Sequence, residues 1–257
     1  MVAFPLRAAA LLVPVRVNRS RGSRGSRSRL VNKSSRRIRV MCFSQPMSLA
    51  IGLGGILLGL YFFLNVNKYA GIGIMYFALM EIIQFFQYSV IDKCDDPWNK
   101  FLTNLGYLHI SFQPVFWNIW LFAFVEKPMW IFVYMSIAAG ILLFSRIFNV
   151  KDDELCDTRN EPLCGKQTCA FTGERHVAWN VRLRAAGARY YTPSIALHFF
   201  MLFIPTLVTF QAKPIIAMLL AGPWLGILLT SNIHEAPAIW CYTVIAQFLI
   251  SQTLLMK

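Results

Sequence analysis

Six cysteines, four histidines and one misplaced acid are the side chains of this 257-residue chain most able to do chemistry. Cys156, Cys164, Cys169 and His176 share one polar stretch, and thiolates with imidazole are the donors that zinc prefers. Their spacings of eight, five and seven positions match no short zinc-finger signature. The same sulfurs read equally as disulfides or as unpaired thiols, and all three readings stay open. Glu81 is the first acidic residue in the chain and stands inside an apolar run, where an ionised carboxylate is costly. It should be protonated, paired or facing water. Gln84 and Tyr88 follow it on the same helical face, while His109 and Gln113 share a face on the next run beside Pro114. Glu81 and His109 fall at similar depth, so a contact between them is geometrically open. The set Glu81, Gln84, His109 and Gln113 reads as a proton relay or polar substrate site, or as a hydrogen bond that pins two helices. His109 and His198 are also conceivable as axial haem ligands. The dipeptide His234-Glu235 carries little by itself.

The elements that must position these residues follow from composition. The chain is 56% hydrophobic and 14% charged, whereas soluble domains carry about a quarter charged residues; an ordinary soluble domain is excluded. From Met47 onward, apolar runs of membrane-spanning length repeat at 47–65, 70–91, 101–125, 128–147, 193–211, 213–231 and 238–256. The predicted fold is therefore all-α, a polytopic integral membrane protein with seven transmembrane helices. Gly55 and Gly59 give small-residue spacing for helix packing, and Pro114, Pro205 and Pro223 should kink their helices. Threading seven spans puts loops 92–100, 148–192 and 232–237 on one side with the mature N-terminus. Their excess of Lys and Arg makes that side the interior. All six cysteines and all four histidines then lie on, or enter from, that side. A reducing interior argues against stable disulfides there. Within the long loop, Val177 to Ala186 is expected as a short amphipathic helix, with Arg182 and Arg184 toward headgroups or solvent.

The net charge of +13 belongs to the leader. Residues 1–40 hold ten Arg and one Lys with no acid; removing those 11 from 25 leaves 14 basic residues against 12 acidic. A nucleic-acid-binding face is thereby excluded. An acid-free, Arg- and Ser-rich leader reads as an organelle transit peptide, plastid (chloroplast) in preference to mitochondrial inner membrane, with processing near Val40 to Cys42. The bland alternatives are a disordered basic leader, or Met41 as the true start. The domain division is thus 1–40 and 41–257. There is no Walker A loop, no Rossmann glycine fingerprint and no nucleophile elbow.

Met41-Cys42-Phe43-Ser44, directly before the first run, resembles the start of an uncharacterised family of polytopic membrane proteins found in bacteria, algae and large DNA viruses. Glu81 with Gln84 and Gln87, Gly106-Tyr107-Leu108-His109 with Gln113-Pro114, and Trp240-Cys241 are similar to its later landmarks. The resemblance covers residues 41–257, implies that the leader is an added address, and supplies no activity. If processing exposes Cys42, its amine and thiol form a chelating pair. The expected function is a small-solute or proton-coupled transporter centred on Glu81 and His109. The alternatives are a metal- or haem-dependent membrane enzyme using the Cys/His cluster, and a structural or assembly subunit of a membrane complex. Expected partners are the lipid bilayer and either a second copy or complex subunits, with no nucleic acid.

Overall fold

The computed structural model describes residues 44–189, 191–209 and 223–255; the leader and Cys42 lie outside them. The chain is mostly helical: α1 (Gln45–Asn65), α2 (Lys68–Tyr88), α3 (Pro97–Leu121), α4 (Trp130–Phe144), α5 (Ala196–Val208), α6 (Pro223–Leu229) and α7 (Ala236–Leu255). Each coincides with a predicted apolar run. Asn67 caps α2 by accepting from the Tyr69 and Ala70 amides, and Asp96 caps α3 through the Trp98 amide. Pro114 and Pro205 lie inside α3 and α5, whereas Pro223 starts α6.

Three of these helices, not seven, are long and apolar enough to cross a membrane among the described residues: Gln45–Asn65, Lys68–Tyr88, and Trp130–Ile147, which adds the 3-10 turn after α4. α3 has the length but carries buried Asn99, Thr103, His109, Gln113 and Asn118. α5 has 13 residues, and the apolar stretch in α7 runs Ala236–Ala246. The outer faces of α1 and α4 are apolar and exposed, as at Leu57, Leu64, Ile131 and Ile141.

α1 and α2 meet backbone to backbone. A Cβ at Gly71 would come within 2.6 Å of backbone atoms of Gly59 and Phe63, and one at Gly55 within 2.7 Å of Ala78. The predicted glycine spacing is thus a packing seam. α3 lies against α2, α4 and α5 and ties them with polar side chains. Tyr107 donates to the Leu143 carbonyl at 2.9 Å, Asn118 to Ser136 Oγ at 2.9 Å and to the Met201 carbonyl at 3.1 Å, and Trp117 to Thr206 Oγ1 at 3.0 Å.

The long loop departs from the all-α expectation. Residues Cys169–Thr172 (β1) and Val177–Asn180 (β2) form an antiparallel hairpin with Thr172 opposite Val177. The expected helix at Val177 to Ala186 is instead a strand over Val177–Asn180 followed by irregular chain. Val177, Ala178 and Trp179 are all buried, so the segment packs on both faces rather than lying on a membrane surface. Arg184, expected toward headgroups or solvent, is buried and donates to the Ser145 carbonyl. Arg146 is also buried; it donates to the Arg184 carbonyl and pairs with Glu161 at 2.5 Å.

Two disulfides staple this cap: Cys94–Cys169, with Cα atoms 4.9 Å apart, and Cys156–Cys164, 6.0 Å apart. In the unreduced, denatured protein, Cys94, Cys156, Cys164 and Cys169 should resist alkylation and react only after reduction, read by peptide mass spectrometry. Cys241 should react in both samples.

Candidate functional site

The helix ends and the cap are joined by buried side chains that complete backbone hydrogen bonds. Asn99, at the start of α3, accepts from the Ala170 amide at 2.8 Å and donates to the Ala170 carbonyl at 2.9 Å and the Val90 carbonyl at 2.7 Å. It pairs with β1 as another strand would. Asp92, at φ +66°, accepts from the amide and hydroxyl of Thr172. Gln87 accepts from Trp179 Nε1 at 2.9 Å and donates to the Leu102 carbonyl.

Glu235 is the most heavily used of these residues. Its buried carboxylate accepts from the amides of Glu174 (2.8 Å), Arg175 (2.6 Å) and His176, and from Thr230 Oγ1 (2.8 Å). Gly173 makes the approach feasible, since a Cβ there would lie 2.7 Å from the Glu235 carboxyl carbon. The Trp179 amide also donates to the His234 carbonyl. Loops 92–100, 148–192 and 232–237, assigned to one side by threading, therefore meet in one cap.

The predicted metal set is not formed. Cys156 and Cys164 bond each other and Cys169 bonds Cys94, so none of the three sulfurs is a thiolate donor. Among the described residues no group of three or more His, Cys, Asp or Glu side chains has metal-binding geometry. His176 instead lies inside the cap, its Nδ1 accepting from the Val177 amide at 2.7 Å, with Tyr88 and Tyr242 facing the ring. Burial pushes its imidazole down to about 3.

Glu81 and His109 do not meet as expected. The His109 ring stacks on Tyr76 with centroids 4.2 Å apart, its Nε2 against the Tyr76 carbonyl at 2.8 Å, while the Tyr76 hydroxyl donates to the His109 carbonyl. Glu81 turns toward α1 and α7: the Ser48 hydroxyl faces it, and the Cys241 thiol lies within its field. Glu81, Gln84 and Ser48 are fully buried. Apart from the Ser48 hydroxyl set against the Glu81 carboxyl, these groups have no hydrogen-bond partner, and neither end of the Gln84 amide has any. Gln113 donates to Cys241 Sγ at 3.4 Å, and both line a cavity of about 430 Å³ that also includes His198. Gln113 and Cys241 thus bring polar atoms to the cavity, and Cys241 also lies within the field of Glu81.

Reading the sequence found Glu81, Gln84, His109 and Gln113 but missed Ser48, Asn99, Asp92 and Glu235. Asn99 had a signal, an amide three residues past a capping aspartate in a helix otherwise bound for the interior. Glu235 had one too, an acid directly before the last apolar run.

The chain belongs to a family of unknown function, DUF5765, which matches residues 46–257, beginning past the Met41–Ser44 start. No match is found among the curated proteins or among the solved structures.

Two outcomes follow from the cap. Glu235→Gln removes the charge that gathers three amides and turns an NH₂ toward donors; it should cost about 3 kcal/mol, read as a lowered Tm with faster proteolysis at residues 173–176. His176 stays neutral in the fold but takes up a proton in the unfolded chain near its ordinary ~6.5. Its contribution is therefore complete above that pH and lost at about 1.4 kcal/mol per pH unit as pH falls toward 3. Melting curves across that window should be less steep in pH for His176→Phe than for the parent.

Proposed function

We propose that the protein is a polytopic membrane protein that couples proton movement to small-solute transport, with Glu81 as the protonatable group. The observation carrying this reading is a fully buried carboxyl with no neighbour but the Ser48 hydroxyl to bond it, beside a buried amide unpartnered at both ends. A structural pin would be satisfied by its neighbours. A carboxyl left unpaired among helices is arranged to exchange a proton or receive a polar guest. Gln84 and Ser48 complete the centre, and Cys241 with Gln113 extends it toward the cap. His109 buttresses the second and third helices through Tyr76.

Seven crossings, rather than the three that meet the length and apolarity requirement, belong to this proposal. It is supported by the burial of the polar groups of α3, of His198 and Thr206 on α5 and of Cys241 on α7. A plastid membrane is supported by the leader's composition. The two disulfides support an oxidising compartment on the cap side, opposite to the stroma or matrix that the count of basic residues favours.

In proteoliposomes holding a pH-sensitive dye, a potassium diffusion potential should drive proton entry. Glu81→Gln should abolish that entry while keeping the fold and both disulfides. Unchanged entry in Glu81→Gln would remove the carboxyl from the mechanism. No entry in the parent, together with Glu81→Leu failing to assemble in native gels, would favour an assembly subunit.

A further inference from the structure

The cavity of about 430 Å³ is walled by α3, the stapled cap, α5 and the start of α7. Its volume lies in the range of small-molecule sites. None of its lining residues is charged, so an ionic guest would find no counter-charge there. The lining is mostly apolar and includes a stacked aromatic pair: the rings of Phe199 and Trp240 are parallel to within 4°, with centroids 6.1 Å apart. Among the apolar groups stand Gln113, His198 and the Cys241 thiol, all nearly inaccessible to solvent, with Thr230, Ser231 and Asn232 on the turn before α7. His198 is 2% exposed and its Nδ1 makes no hydrogen bond.

The cap contributes a second, independent sign. Leu163 lines the cavity at φ +67°, a left-handed backbone that a branched side chain rarely adopts. It is held there by the Val181 amide donating to its carbonyl at 2.6 Å and by the adjoining Cys156–Cys164 disulfide. Backbone strain that the surroundings maintain is concentrated where ligands bind.

We propose that this cavity binds a neutral, planar, mainly apolar molecule bearing a hydroxyl or carbonyl, a phenol- or quinone-like ring, with the ring along Phe199 and Trp240 and its oxygen toward His198. The site lies beside the Glu81 centre, but its existence does not rest on proton coupling.

Cys241 reports on occupancy. In the full chain reconstituted in lipid nanodiscs, the alkylation rate of Cys241 by N-ethylmaleimide is followed by peptide mass spectrometry. The probe 2-naphthol at ten times its Kd should slow labelling by about tenfold, and 2-naphthoate at equal concentration should leave the rate unchanged. His198→Phe should reduce protection by 2-naphthol to the level given by naphthalene. Equal protection by 2-naphthoate would overturn the neutral class, and full 2-naphthol protection in His198→Phe would overturn the role of that residue. A Cys241 that does not label, or whose labelling 2-naphthol does not slow, would overturn the site. None of these readouts changes if Glu81 proves to carry no protons.

Discussion

A short hairpin buried against helix ends needs partners for every amide and carbonyl it takes out of water. The cap meets this demand with side chains instead of a larger sheet. Asn99 and Asp92 serve β1, and the Glu235 carboxylate gathers the turn between the strands. Everything on that side of the molecule depends on this substitution. It fixes the ends of α2 and α3, starts α7 in a defined place, and brings Leu163 over the cavity. Cys94–Cys169 then locks a closure between segments 75 residues apart. Such a crosslink limits the unfolded chain by about 4 kcal/mol in the loop-entropy account.

The interior of the helical part is organised differently. There the polar residues of α3 join helix to helix through one hydrogen bond at a time, while the cluster at Glu81 is left open. Asn118 reaches three acceptors through its amide nitrogen while its Oδ1 stays unpartnered, whereas neither end of the Gln84 amide has a partner. The two amides sit within one bundle, and their sequence surroundings look alike.

Helices were legible because apolar runs of span length have few other solutions; each of the seven predicted runs contains one. Their individual capacity to cross a membrane was overstated, because run length says nothing about the amides buried along α3. The meeting of the loops was also legible, since threading brought Cys94, His234 and the long loop together before any contact was known. Pairing among the cysteines was not, because separations along the chain do not report distances across a cap. The reducing-interior argument, which rested on counts of Lys and Arg, pointed away from the bonds that form. Glu81 with Gln84 was readable as an isolated acid and amide on one helical face. The contact with His109 that equal depth left open does not form, because equal depth in two helices does not fix the rotation of either, and His109 stacks on Tyr76.

α1 and α2 each contain 21 residues, about 31 Å of helix, close to the roughly 30 Å hydrocarbon thickness of a bilayer. Their glycine seam leaves no side chain to act as a bearing, so neither helix slides or tilts without the other. Ser48 and Glu81 face each other across this rigid pair. In a thinner bilayer the mismatch would be relieved by tilting α1 and α2 as a unit against α3 and α7. Under the proposed membrane reading, bilayer thickness becomes a mechanical input to the separation between the carboxyl and Cys241.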